Sequence, residues 1–531
     1  MVAYNNANRC PICTADLTDV LPPNSETPFT CPRPYCGVSL EVGDGQQLRV
    51  NTFQLVDQYS QCVLPFSFVD TALNDVLLRL ERSPRWQEET FDGDDEDTVD
   101  RIDYFLPYIR QFLFPKARRL VGTYIERGMT NETNENNPVT PCSHWKFNLA
   151  QLGELEKGRL PFQFDCVDNR KTVSYSWSMY LEDARLIVFG YRVGFLVLRF
   201  RCAEPKATLF DQMNSLNYLR PISPLYRDFE MGVLTIDEAK VVMPQLLAYF
   251  LADFRSAFVP KHPSAISLPT SLPVQPTYDD RMMVHTFSCV NKETSLENND
   301  QAEKLLNRAT VVHFDPPTSP DHPEPGENPK KAWFRERRQG FSKEGTCLVV
   351  FDSDKYHEHF LGGYHATYYF DVFLLATLQR VTLLMLYGQL SKISSLTTGA
   401  KNRRTLRRIL RDLLLFKNQC CFSQITNRER GLVLWRRWQD VFENRTLLKE
   451  VNDQAAELHT YLQGRSRERL DNLLRAGGFL AATIPIILGL GVFLPETQET
   501  QWGFTLRWLL LLGVILGCGV FVLFSMFRER E

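Results

Sequence analysis

The chain has 531 residues, too many for one ordinary core, so two or three domains are expected. Its 44% apolar and 23% charged residues are those of a folded protein and exclude wholesale disorder. A formal net charge of −3 excludes the global basic field of a nucleic-acid binder, although residues 401–475 hold 17 Lys/Arg against 9 Asp/Glu.

Residues 1–50 are organised by Cys10-Pro11-Ile12-Cys13 and Cys31-Pro32-Arg33-Pro34-Tyr35-Cys36-Gly37. Zn²⁺ asks for four soft donors converging as a tetrahedron, and two turn-borne cysteine pairs supply that geometry. The expectation is a small zinc ribbon with Cys10, Cys13, Cys31 and Cys36 as ligands. Four protein ligands leave no open position, so this Zn²⁺ is structural. Met1–Arg9 carries no apolar targeting core, and a reducing cytoplasm is expected to keep the remaining cysteines as buried thiols.

Residues 51–100 read as a helical segment with an acidic linker. Apolar spacing at Val69, Leu73, Val76, Leu77 and Leu80 predicts helix across 51–85. The run Asp92–Asp97 is either a solvated loop or a collector of divalent cations. Residues 101–355 read as a mixed α/β domain. Thr130–Pro138 is a loop, Leu186–Tyr191 and Gly194–Phe200 are strands about a short turn, and Asp237–Phe258 is a helix. Val284–Val290 and Leu348–Phe351 are further strands. His357, His359 and His365, with Asp352 and Asp354, resemble a metal cluster, but their spacing suits surface histidines ahead of a helix better.

Residues 356–475 read as a long helical hairpin and stalk. Tyr368–Ile393 is strongly apolar and unbroken by Gly or Pro apart from Gly388, and a basic segment follows in which Arg404, Arg407, Arg408 and Arg411 share one helix face at i, i+3, i+4 and i+7. That face can hold the phosphates of a small anionic nucleotide, pair with an acidic neighbour, or stay solvated. From about Asn427, apolar residues at Leu434, Trp438, Val441, Leu448, Val451, Ala455, Leu458 and Leu462 approach a 3.5-residue repeat, interrupted at Arg445.

In residues 476–531, Ala476–Leu494 and Trp508–Phe527 are uncharged for 19 and 20 residues. At 1.5 Å per residue each reaches about 30 Å, the thickness of bilayer hydrocarbon. Arginines precede the first span and follow the second, while Pro495–Gln501 carries only acidic charge. The positive-inside rule then places both termini in the cytoplasm and the loop outside, in a multi-pass protein of the cytoplasmic membrane. The fold class expected is an α+β cytoplasmic domain with stalk helices, a two-helix transmembrane hairpin and a basic C-terminal tail. No phosphate-cradling Gly loop, nucleophile elbow or H-E-x-x-H motif is present, so no enzyme is expected.

The order of parts resembles the CorA-type divalent-cation channels, most specifically over Phe416–Phe442 and the terminal hairpin. The stretch Cys421-Phe422-Ser423-Gln424-Ile425-Thr426-Asn427, with Gly431, Trp435 and Trp438, looks like the helix-hairpin turn of divergent CorA-like proteins, some of which accompany antiviral defence loci. The resemblance implies a homopentamer with the first span of each subunit lining a pore, Thr483, Gly491, Val492 and Phe493 among the lining residues. It also implies a transported divalent cation such as Mg²⁺ and, in the defence branch, a nucleotide messenger. The family's Gly-Met-Asn signature is replaced here by Gly491-Val492-Phe493, which keeps the glycine and loses the amide that hydrogen-bonds an ion's water shell. Two functions follow: a channel gated by its cytoplasmic body, or a membrane-anchored binding scaffold that conducts nothing. Gly477, Gly478, Ala481, Ala482, Thr483, Gly489 and Gly491 let first spans pack closely about an axis and favour the channel.

Overall fold

In a computed structural model the chain is described over residues 29–30, 39–43, 47–50, 54–68, 73–91, 95–115, 142–168, 173–204, 207–222, 232–236, 239–250, 274–277, 281–291, 337–350, 361–394, 400–461 and 474. These fall into two compact units, Met1–Gly388 with Arg411–Lys449, and Gln389–Leu410 with Glu450–Glu531. The protein is mixed α+β, with a large sheet and one long apolar helix.

Within the first unit, β1 (Phe29–Thr30), β2 (Ser39–Gly43) and β3 (Gln47–Val50) form a small antiparallel sheet. The large sheet is built around β4 (Leu55–Phe68), and here the sequence expectation fails, because 55–68 is strand and not helix. Nearly every β4 side chain from Gln58 to Phe66 is buried. A strand covered on both faces shows no two-residue alternation, so its pattern hides behind the helical spacing of its neighbour. Helix begins only at α1 (Leu73–Arg82), followed by β5 (Trp86–Glu88), α2 (Glu96–Asp103) and α3 (Pro107–Leu113).

The sheet continues through β6 (Cys142–Phe147), β7 (Leu160–Asp168), β8 (Val173–Phe189) and β9 (Val193–Cys202), then α4 (Leu209–Leu219). The strand pair expected at 186–200 is the core of β8 and β9. A bulge at Glu182 bends β8, so its first half pairs with β7 and its second with β6. The helix expected over 237–258 is replaced in its described part. β10 (Val233–Ile236) turns back into β11 (Ala239–Val242), and only α5 (Leu246–Phe250) is α-helical. Two β-branched valines and Pro244 at the first turn after them explain the change.

β12 (Val274–Pro276), β13 (Met283–Val290), β14 (Arg337–Ser342) and β15 (Gly345–Val350) complete the sheet; β13 and β15 fall on the strands expected at 284–290 and 348–351, whereas β14 was not expected. Its main path runs β11-β10-β7-β8-β9-β4-β13-β15-β14, and β13 with β15 is its parallel pair. Gly345, at φ +146, closes the two-residue turn into β15, where a Cβ would stand 1.9 Å from the Val284 carbonyl oxygen.

Three helices follow: α6 (Phe370–Ser394), α7 (Ala400–Cys420) and α8 (Glu429–Val441). α6 is buried on all sides over Phe370–Leu378, which is why its sequence shows no polar stripe. Among the described residues, Gly362–Ile393 is the one helical stretch long and apolar enough to cross a membrane, and 78% of its most apolar window is buried in the protein. The spans at 476–494 and 508–527 lie outside the described residues, as do Cys10, Cys13, Cys31, Cys36, Thr483, Gly491, Val492 and Phe493.

The stalk does not run as one helix from Asn427. It breaks at Phe442–Glu443, with Glu443 left-handed at φ +53, and resumes over 444–461. The Arg380 side chain donates to the Phe442 carbonyl oxygen at 2.5 Å and holds the break. Leu434, Trp438, Val451 and Ala455 of the repeat are buried on either side of it.

Candidate functional site

A cluster of buried polar side chains lies where the sheet meets the helices. Tyr59 and Gln61 of β4 point to one face, opposite Phe287 and His285 of β13. Onto that face folds a helical turn at Gly362–Tyr364 and a π-helical stretch at His365–Tyr369, which lead into α6. Side chains of β4 bond to main-chain carbonyls of both stretches. Tyr59 Oη donates to the Gly362 carbonyl oxygen at 2.8 Å, and Gln61 Nε2 to that of Ala366 at 3.2 Å.

Tyr59 Oη also lies 3.0 Å from His365 Nδ1. Its one proton is committed to Gly362, so His365 donates from Nδ1 and keeps Nε2 as an acceptor. That Nε2, and Nδ1 of His285, have no partner among the described residues. The two imidazoles stack with centroids 3.9 Å apart and are 0% and 1% exposed. Burial first, and the Arg199 guanidinium second, bring His365 down to about 3. Burial and then His365 hold His285 well below the ordinary imidazole value. Both rings are therefore neutral. His365, expected at the surface or in a metal cluster, is a core residue; His357, His359, Asp352 and Asp354 lie outside the described residues.

Two further polar ties hold the helices. Arg101 of α2 donates from Nε and Nη2 to both oxygens of Asp371 at 2.6 and 2.7 Å, and both residues are buried. The guanidinium lies against the Phe91 and Phe114 rings, 5.6 and 5.3 Å from their centroids. Lower on α6, Gln379 Nε2 donates to the Cys420 carbonyl oxygen, while its Oε1 accepts from Gln439 Nε2 at 2.7 Å. Asn444 Nδ2 donates to the Ala376 carbonyl oxygen at 3.1 Å. One glutamine thus joins α6 to the end of α7 and to α8.

The stretch 421–427 is a non-helical turn docked on the α2–α3 junction. Leu106 N donates to the Ile425 carbonyl oxygen at 2.9 Å, and the Thr426 hydroxyl to that of Tyr104. Gly431 lets α8 approach this junction, since a Cβ there would fall 2.4 Å from Tyr104 Oη. Trp438 packs edge-on to Phe341 of β14 and tilted on Phe373, at 5.1 and 4.9 Å.

Arg404, Arg407, Arg408 and Arg411 are all exposed on α7, opposite buried Leu406, Ile409 and Leu413. Arg411 approaches Asp412 at 3.6 Å, and the other three make no ion pair among the described residues. No group of three or more His, Cys, Asp or Glu side chains suited to a metal occurs among the described residues. The described cysteines are free thiols, seven buried and Cys421 half-buried. Sequence reading missed the Tyr59–His365–His285 centre, the Arg101–Asp371 pair and Gln379. Their only signal was polar residues inside apolar runs, Asp371 and Gln379 within 368–393 above all.

No family model, curated protein or solved structure matches this chain.

Proposed function

We propose that the chain is an oligomeric, CorA-like cation channel whose cytoplasmic body acts on a pore made by the first membrane span. The observation that carries this reading is the buried tie at Gln379. It fastens the sheet-bearing helix α6 to α8, and beyond α8 the helical run 444–461 leads in sequence to the apolar span at 476. A body fastened to its membrane-directed helices by buried hydrogen bonds can pass on a rearrangement, whereas a simple tether needs no such fastening. In this reading a zinc ribbon at Cys10, Cys13, Cys31 and Cys36 is a structural appendage.

The apolar Val492 and Phe493 form the outer constriction, so conduction is controlled by wetting and not by amide recognition of hydrated Mg²⁺. Full-length protein in liposomes loaded with a Mg²⁺- or K⁺-sensitive dye tests the proposal. Ion flux that changes with Phe493→Ala is expected. Protein that inserts and assembles yet passes no ion would leave the hairpin as an anchor for a binding scaffold.

A further inference from the structure

Two oppositely charged helix faces make no ion pair among the described residues. On α7, Arg404, Arg407 and Arg408 cover one exposed turn. On α2, Glu96, Asp97 and Asp100 are exposed, with the buried side of that helix taken by Arg101 and Ile102. None of the six makes an ion pair among the described residues. The positive end of the helix dipole accounts for acidic residues in the first turn of α2, but Asp100 lies beyond it. The sequence adds Asp92, Asp94 and Asp95 immediately ahead. The acidic surplus is general, since the chain outside 401–475 carries a net −11 against +8 within it.

We infer that the arginine face of α7 docks on the acidic helix α2 of a second copy of this chain. Three positive charges then meet three negative ones, each set spaced over a single helical turn. Such complementarity sets partner and register, and it weakens with salt. The patch used on one copy differs from the patch used on the next, so the contact is heterologous. Heterologous contacts close into rings when the rotation allows, whereas a self-complementary contact stops at a dimer. A ring is the assembly that a shared pore requires. The inference therefore rests on the oligomeric reading and supplies its contact.

The test uses full-length protein in detergent, with two differently tagged variants, Arg404→Glu/Arg407→Glu/Arg408→Glu and Glu96→Lys/Asp97→Lys/Asp100→Lys. Far-UV circular dichroism and melting confirm folding, and Arg407→Glu with Asp97→Lys replaces the triples if either is unfolded. Mass photometry of each variant alone is expected to show the dissociation midpoint raised at least about tenfold. Co-expressed, the two variants attract at every unlike junction, so species carrying both tags should form and co-purify, even where an odd-numbered ring keeps one like-charged junction. Contacts within one chain cannot be restored in this way.

Variants that assemble normally alone, or that form no mixed-tag species when co-expressed, overturn the inference. In particular, an arginine variant that assembles normally and loses only binding to phosphatidylserine vesicles or to ATP would make α7 a phosphate-binding face instead. Flux on the same samples separates the two claims. Wild-type flux with charge-insensitive assembly defeats only this contact, and charge-dependent assembly without flux defeats only the channel.

Discussion

His285 and His365 carry a stability consequence of definite sign. Both are neutral in the folded protein because burial holds their pKa values below the imidazole range, His365 at about 3. The unfolded chain takes up protons below about pH 6.5, where the folded chain does not. Stability is therefore intact above that pH and falls as the pH drops towards 3. Between pH 6.5 and 5, before most carboxylates titrate, the loss is on the order of 2 kcal/mol per buried histidine. Urea unfolding across that window measures it. His365→Asn keeps a donor for Tyr59 and removes one titrating group, so its pH slope should be visibly shallower; an unchanged slope would contradict the neutral-ring assignment.

Arg101 and Asp371 make a second case at the same scale. Removing one partner leaves the other charge buried alone, which costs about 3–5 kcal/mol. Arg101→Met is expected to show that loss, and Arg101→Met/Asp371→Leu to recover most of it. A double variant as unstable as the sum of the singles would mean the two charges are not coupled.

Among the elements, Gly431 fixes the approach of α8 to the α2–α3 junction. Alanine gains about 1 kcal/mol of helix propensity, yet its methyl meets Tyr104 Oη and Thr426 Cγ2 at 2.4 and 2.5 Å. The expected net effect is a destabilisation of about 1–2 kcal/mol in a denaturant melt. A more stable Gly431→Ala would show that the junction has room.

How well elements could be read from sequence followed their environment. β8, β9, β13 and β15 were legible because apolar residues cluster between turn signals. β4 was not, since burial on both faces erased its alternation, and the nearby Val69–Leu80 spacing extended helix over it. The stalk repeat was legible as helix, but its break at Phe442–Glu443 was not. Glu443 bears no sequence mark of a left-handed residue, and the break is imposed by tertiary contacts of Phe442 and Arg380. The basic face of α7 was fully legible, since helical spacing alone placed its arginines together. The polar centre at Tyr59 was illegible because its members come from three distant stretches that only the sheet brings together.

At the scale of the whole molecule, a sheet-centred body, a set of helices tied to it by buried polar contacts, and an apolar hairpin in the sequence combine into the proposed channel. The polar ties matter because a hydrogen-bonded junction has a small number of satisfied arrangements, and a junction of that kind can switch. The most direct test is single-channel recording of the full-length protein in a planar bilayer, comparing wild type with Phe493→Asn. Discrete openings are expected in the wild type, with a higher open probability or conductance once the constriction carries an amide. Protein that is inserted and oligomeric, yet electrically silent in both forms, would contradict the proposed channel.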